Sequence, residues 1–324
     1  MKAIRVAQAG DPSVMHLADI PQPKAGPGEV LVHVRVSGVN FADVYMRNGS
    51  ARVPVPFPIT PGLEGAGTVA AIGEGVGEVK VGERVAYATR GNGSYAEYDV
   101  VKVGHVAPLP EGLTFEQGAA SILQGMTAHY LLHEYYPVRR GSTVLVHAAA
   151  GGMGLILVQW LKHLGAVAIG TVSTDAKAKI AREAGADHTI NYATQDFVEE
   201  AKKITGGKGV DYIIDGVGKT TFTKNLQALR DRGWATIFGM ASGPAEAIVP
   251  NSLMTKALTI SGGSLFNFMV NREEMLGRAR DLFVGLREGW LKLHVDRILP
   301  LEQAAEAHQL LESRQTTGKL LLKI

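Results

Sequence analysis

Past Gly118 the hydrophobic pattern of this 324-residue chain changes period, and that change restricts the fold more than any other feature. Six apolar runs follow, "TVLVHAA", "AVAIGTV", "HTINY", "VDYIIDG", "WATIFGM" and "ALTISGG", with amphipathic stretches such as "DAKAKIAREAG" and "DFVEEAKKIT" in the gaps. Runs too continuous to alternate, with a helix in most gaps, predict an α/β unit: a parallel sheet covered on both faces. Residues 1–120 have period two instead, as in "EVLVHVRVSGV", and are broken by glycine and proline, which predicts an antiparallel, barrel-like β domain. From about Asn271 two helical stretches surround "LKLHVDRILP", and the chain closes on an apparent strand, "GKLLLKI".

A chain of this length is long for one core, so two domains are expected. The 39 glycines are spread among the apolar runs and point to tight turns, not to a low-complexity tract. Lys plus Arg is 33 against 31 for Asp plus Glu, a net charge of +2, so no global field favours nucleic acid or membrane and a small ligand is the better expectation. The absence of cysteine excludes disulfides, thiolate zinc sites and cysteine nucleophiles. The start, "MKAIRVAQAGDPSV", has no signal-peptide core, and no apolar segment reaches membrane-spanning length; a soluble, cytoplasmic protein is expected.

The stretch "VLVHAAAGGMGLILVQWLKHLG" runs a predicted strand, 143–149, into Gly151, Gly152, Met153 and Gly154 and then into a helix from about Gly152 to Leu164. At such a junction free N–H groups and the helix dipole attract an anion, and missing side chains let a pyrophosphate approach. The dinucleotide fingerprint G-x-G-x-x-G is here A-x-G-G-x-G, with Ala149 first; taken alone, it equally fits glycines that serve close packing. The next strand ends in "TVSTDAK", where a free ribose 2′-hydroxyl would meet a carboxylate and a 2′-phosphate would want hydroxyls and cations. Ser173 and Lys177, with Tyr192 beside an adenine, favour NADP(H) over NAD(H). Asp175 dissents if it faces the pocket, and is read as a cap of its helix.

"HAAAGGMGLILVQWLK" resembles the signature of the zeta-crystallin-like quinone oxidoreductases, a zinc-independent branch of the medium-chain dehydrogenase/reductases. The similarity extends through "SGVNFADVYMRNG", "PFPITPGLEGAGTVAAIGEGV", "VKVGERVAY", "GADHTINY" and "ESRQTTGKLLLKI". The resemblance implies a GroES-like catalytic domain, 1–123, a Rossmann domain, 124–265, a return to the catalytic domain over 266–324, NADPH between them, and a homodimer. It adds Thr127, Phe238, Gly239, Ser264, Leu265 and Arg314 to the expected cofactor contacts. Against the zinc alcohol dehydrogenases of the same superfamily, the ligand positions correspond to Asn40, Leu63 and a place near Gln124, and the four-cysteine lobe is missing. No metal is expected, and without one nothing polarises an alcohol, so an electron-poor acceptor is expected.

The resemblance thus implies NADPH-dependent reduction of a quinone, whose product gains aromaticity. Asn40 and Tyr45 are the polar residues to place beside the acceptor as hydrogen-bond donors to the developing oxyanion; alternatively Asn40 satisfies loop backbone and Tyr45 is a packed aromatic with its hydroxyl in water. Two alternatives stay open. One is an enal or enone reductase; the other is a crystallin-like or RNA-binding protein that holds NADPH structurally, against which the near-neutral charge argues. His129 and His133 share a helix face but lack a third ligand at motif spacing, so they are set aside as a metal site. "ALTISGGSLFNF" suits strand pairing across a dimer.

Overall fold

The computed structural model describes residues 1–51, 53–90 and 93–324. Along the chain come β1 (Lys2–Val6), β2 (Met15–Asp19), β3 (Glu29–Val39), α1 (Phe41–Arg47), β4 (Glu64–Ile72), β5 (Arg84–Ala88), β6 (Tyr98–Lys102), β7 (Val106–Pro108) and α2 (Phe115–Tyr130). There follow β8 (Thr143–Val146), α3 (Gly152–His163), β9 (Val167–Val172), α4 (Asp175–Ala184), β10 (His188–Asn191), α5 (Phe197–Ile204), β11 (Val210–Asp215), α6 (Phe222–Ala228), β12 (Leu229–Ile237) and β13 (Thr259–Gly262). The chain ends with α7 (Arg272–Glu288), β14 (Val295–Pro300), α8 (Ala304–Glu312) and β15 (Lys319–Lys323).

Two compact units result. The first comprises Met1–Met126, Phe268–Arg287 and Leu293–Ile324, and the second Thr127–Asn267 with Glu288–Lys292. The chain first passes between them inside α2, at Met126 rather than at Leu123. Glu288–Lys292 belongs to the second unit, because Gln159 on α3 holds Lys292 through both its amide atoms (2.8 and 3.0 Å) and His163 stacks on Trp290 at 4.1 Å.

In the first unit β1 and β2 form a two-stranded antiparallel pair, and the larger sheet is built on β3. Its eleven residues pair antiparallel with β4, β6 and β15, so the end of the chain is a neighbour of residues near its start. The period-two reading holds here: Val30, Val32, Val34, Val69, Val85 and Val101 meet in one apolar cluster. The exception is β14, in the stretch between the two expected helices, which pairs parallel with β15. Its exposed, mixed residues carry no alternation, so its pairing is set by β15 and not by its own pattern.

The second unit is the expected parallel sheet, with strand order β10-β9-β8-β11-β12-β13. That is the doubly wound Rossmann order, whose switch point lies between β8 and β11. Leu145, Ile169, Ile190 and Ile213 form its core beneath Phe197 and Val198 of α5. β8 stops at Val146, short of the predicted Ala149. The backbone turns left-handed at Ala148 (φ 53°), while the His147 N–H still donates to Ile214 O (3.2 Å) and the Ala149 N–H to Thr171 O (3.0 Å). Among the described residues no helix is long and apolar enough to cross a membrane.

A Cβ at Gly154 would sit 2.4 Å from Ala148 O and 2.6 Å from Ala149 Cα, so α3 lies against the turn that precedes it. Gly154→Ala should therefore force α3 outward and cost about 1–3 kcal/mol of stability in the second unit, read as a lower denaturation midpoint. An unchanged midpoint would show that the turn is not this tight.

Candidate functional site

Each unit carries its own constellation. On the second, the glycine turn opens α3: Gly151 is the helix N-cap, in extended conformation, and no side chain caps the helix. The first turn therefore offers the backbone N–H groups of Gly152, Met153 and Gly154 at the positive end of the helix dipole. Ala149 replaces the first fingerprint glycine because the space lies on the neighbouring strand. Gly170 of β9 is the residue without a side chain there, and a Cβ on it would meet the Ala149 methyl at 2.5 Å.

Below this turn the strand ends are tied by a buried polar chain. The Asp215 carboxylate accepts from Asn225 Nδ2 (2.6 Å), Thr221 Oγ1 (2.7 Å) and the N–H groups of Val217 (2.7 Å) and Gly218 (3.0 Å). With its NH2 so used, Asn225 turns its oxygen to His147 Nε2 (2.8 Å), which must donate, and His147 Nδ1 then accepts from Thr171 Oγ1 (3.0 Å). The Thr171 hydroxyl could also accept, and it is burial, which lowers the His147 pKa, that favours the neutral ring and this direction.

The expected cofactor residues of this unit stand mostly at C-terminal ends of strands: Ser173 after β9, Tyr192 after β10, Phe238 and Gly239 after β12, Ser264 and Leu265 after β13. Ser173 and Lys177 are half-buried, Tyr192 is half-exposed, and Thr127 is buried in α2. Gly239 is obligatory, since a Cβ there would meet Gly216 O at 2.6 Å. The Leu265 side chain is buried. Arg314 belongs to the first unit, exposed and left-handed (φ 59°) just past α8.

One reading is corrected. Asp175 does not cap α4; Thr174 does, its Oγ1 accepting from the Lys177 N–H at 3.2 Å. The Asp175 carboxylate instead accepts from Asn191 Nδ2 at 3.0 Å. A hydroxyl on the extended residue just before the helix reaches the N3 amide, and Asp175 is already inside the first turn.

On the first unit the centre is Asn40, the N-cap of α1. Its Nδ2 donates to Glu64 Oε1 (2.8 Å) and leans on Gly38 O (3.5 Å), while its Oδ1 accepts from Lys319 Nζ (2.8 Å) and Gln124 Nε2 (3.3 Å). Lys319 also bonds Glu64 Oε1, and Glu64 Oε2 accepts from the Leu123 N–H (2.9 Å). The Asn40 amide thus makes its one short donated bond to Glu64, with only the 3.5 Å contact to Gly38 O on its second N–H. Tyr45, half-buried on α1, packs beside Phe41 with ring centres 6.2 Å apart.

From Asn40 the polar chain continues through α1. The Asn40 N–H donates to Asp43 Oδ2 (2.9 Å), which also accepts from the Tyr95 hydroxyl (3.2 Å). Tyr95 meets His308 Nε2 (3.1 Å), His308 Nδ1 faces Arg47 Nη1 (3.5 Å), and Arg47 grips Glu312 with two bonds, 2.8 and 2.9 Å. Arg47 has no acceptor capacity, so His308 Nδ1 accepts and its Nε2–H donates. Burial and the Arg47 guanidinium hold the His308 pKa down at about 3. Burial first of all pushes Asp43 up to about 7, despite the Asn40 N–H and the Lys319 charge, and its Oδ1 is buried without a partner.

This set does not fit a zinc ion. Leu63 is core, Asn40 and Glu64 are held by an ammonium, and among the described residues no cluster of three or more His, Cys, Asp or Glu could take a metal. His129 and His133 lie 4.6 Å apart, edge-on to Trp160 (5.9 and 6.2 Å). Glu64, Asp43, Tyr95, His308 and Lys319 were not singled out from the sequence. The visible signal was a lysine at the very start of an apolar strand, "GKLLLKI".

Residues 26–111 match the family model described as "Alcohol dehydrogenase GroES-like domain", and residues 152–281 the model described as "Zinc-binding dehydrogenase". The chain is 39% identical over 322 residues to a quinone oxidoreductase of Pseudomonas aeruginosa, covering 99% of both chains. It is 40% identical over 326 residues to a 2-haloacrylate reductase of a Burkholderia species, covering 98% of this chain and 97% of that one. The crystal structure of Escherichia coli quinone oxidoreductase complexed with NADPH superposes with a TM-score of 0.97 at 38% identity, over all of both chains. The chain belongs to the quinone oxidoreductase branch of the medium-chain dehydrogenase/reductases. Within this family fold, the Asn40 cluster lies on the GroES-like unit and the glycine turn on the Rossmann unit.

The raised Asp43 pKa has a stability consequence. The protonated carboxyl favours the folded state fully below the unfolded value near 3.8, and that contribution is lost as pH rises through about 7. Asp43→Asn mimics the protonated form, so the variant should gain on the wild type between pH 5 and pH 8, by about 5 °C in Tm. Equal melting differences at both pH values would show that Asp43 ionises normally.

Proposed function

We propose that the chain is an NADPH-dependent quinone reductase that works without zinc. The observation that carries the cofactor choice is the placement of Asp175: the carboxylate at the end of β9 is bonded to Asn191, while Ser173, Lys177 and Tyr192 surround the same strand ends. The glycine turn fits a pyrophosphate, since its helix is uncapped by any side chain and its close packing at Gly154 excludes one. Bound there, NADPH supplies the hydride.

On the GroES-like unit, Asn40, at a position that corresponds to a zinc ligand of the metal-dependent relatives, is bonded instead to the Lys319 ammonium, which also bonds Glu64. Alcohol activation is therefore disfavoured, and an acceptor that needs only positioning is favoured. Reducing a quinone adds one hydride and one proton, and the negative charge appears on oxygen. With the Asn40 amide committed to Glu64, the Tyr45 hydroxyl is the donor we assign to that oxygen, and the Asn40 cluster holds α1 in place beneath it. The exposed outer strand β13, with Val249 and Met254 exposed before it, supports a homodimer by strand pairing.

The likeness to a 2-haloacrylate reductase favours a second reading, transfer to an activated C=C bond with a proton added at the neighbouring carbon. Assays with 1,4-benzoquinone and with 2-chloroacrylate, each with NADPH and NADH, separate the two. Quinone turnover with NADPH is expected, and Lys177→Ala should lower kcat/KM for NADPH roughly tenfold while leaving NADH nearly unchanged. Turnover of 2-chloroacrylate alone would replace the quinone reading, and equal use of both cofactors would remove Lys177 from its role.

A further inference from the structure

We infer that Asn191 is a specificity-determining residue for the 2′-phosphate, acting as a positioning residue through Asp175. The inference rests on the NADPH reading above and names what keeps an unfavourable carboxylate out of that site. Helix α4 begins at the end of β9, where a 2′-phosphate would be read, and its first residue is an aspartate. An acid in the first helical turn is favoured by the dipole, yet a carboxylate facing a phosphate dianion is repelled. Two neighbouring side chains resolve that conflict.

The first is Thr174, which takes over the capping of the Lys177 N–H and leaves the Asp175 carboxylate without that task. The second is Asn191, the last residue of β10, which lies beside Val172 in the β9 register. Its Oδ1 accepts from the Ala193 N–H at 3.2 Å, and this contact decides which way the amide points. The NH2 group must then face Asp175, whose Oδ1 it meets at 3.0 Å. The residue itself is held, because its own N–H donates to Gln195 Oε1 (2.9 Å) and its carbonyl accepts from the N–H groups of Thr194 (3.1 Å) and Gln195 (2.9 Å). Asn191 is thus a fixed donor aimed at one carboxylate, which it turns toward β10. Released, that carboxylate is one residue from Thr174 and two from Ser173 and Lys177, on the segment read as the phosphate site.

The test is equilibrium binding of adenosine 2′,5′-bisphosphate and of 5′-AMP to the protein free of cofactor, by calorimetry, in wild type, Asn191→Ala, Asp175→Asn and the double variant. The wild type should prefer the bisphosphate. Asn191→Ala should lose roughly five- to tenfold of that preference, with 5′-AMP affinity unchanged. The double variant should recover it, because no charge is left to release, and Asp175→Asn alone should bind the bisphosphate at least as tightly as wild type. A preference that survives in Asn191→Ala, or one lost equally in the double variant, overturns the inference. Should Asn191→Ala melt early through loss of its turn, Asn191→Ser, which keeps an oxygen for Ala193 but no NH2 for Asp175, should show the same loss. Equal wild-type affinity for the two nucleotides would sink the NADPH reading itself and the role of Asn191 with it, whereas a wild-type preference unmoved by the variants sinks only the latter.

Discussion

The first unit depends on one buried charge pair, Lys319 with Glu64, joined through the Asn40 amide. Both side chains are almost wholly removed from water, at 3% and 0% exposure, which costs several kcal/mol per ion unless every partner is in place. Here the partners are in place: the Leu123 N–H takes the second Glu64 oxygen, and Asn40 presents its NH2 to Glu64 and its oxygen to Lys319. The pair is also the reason for Gly38, since a Cβ there would lie inside the Glu64 carboxylate and against Ala119 O. Four elements, β3, β4, α2 and β15, therefore meet in one arrangement that a slip of any strand would break. Removing either partner of such a pair would leave an uncompensated buried charge, which is strongly destabilising.

The second unit uses a different device for a similar end. Its strands are apolar on both faces and would tolerate shifts along their length, and the His147, Asn225, Asp215 and Thr171 chain pins the ends of β8, β9 and β11 together. With the buried His147 neutral, the chain has one consistent hydrogen pattern, running from the Thr171 hydroxyl through His147 and Asn225 to Asp215. The glycine turn starts directly from these pinned ends, at Ala148. Its N–H groups are thus aimed by buried side chains below it.

Much of this was legible along the chain because it is periodic or local. The six parallel strands, the glycine turn and the antiparallel half follow from hydrophobic spacing and from glycine placed where side chains cannot fit. The misses share a physical cause. Lys319 is 279 residues from Asn40 and Glu312 is 265 from Arg47, and no local pattern signals a partner at that distance. β14 has no pattern of its own, and Ala149 looked like a broken fingerprint until Gly170 on the adjacent strand was seen to make its space. Thr174 and Asp175 both suit a helix start, and only the backbone conformation decides which of them caps.

On the proposed function, with the acceptor beside Tyr45 on α1, the charge state of the Asn40 region bears on its reduction. Lys319 and Glu64 cancel, as do Arg47 and Glu312, and His308 is neutral, so the balance of the cluster rests on Asp43. With Asp43 protonated the group is neutral overall; with Asp43 ionised it carries one buried negative charge, set against Glu64 and only partly offset by Lys319. Hydride transfer to a quinone or an activated alkene builds negative charge on the acceptor, and a buried anion on the same helix opposes it more than an exposed one would, because little water screens it. On the proposed function, the neutral form of Asp43 is the one that removes this opposition. Asp43 Oδ2 accepts from the Asn40 N–H and the Tyr95 hydroxyl, and Oδ1 is buried without a partner that would stabilise a charge on it. The two donors converging on Oδ2 hold the first turn of α1 in place, while burial of the same carboxyl raises its pKa.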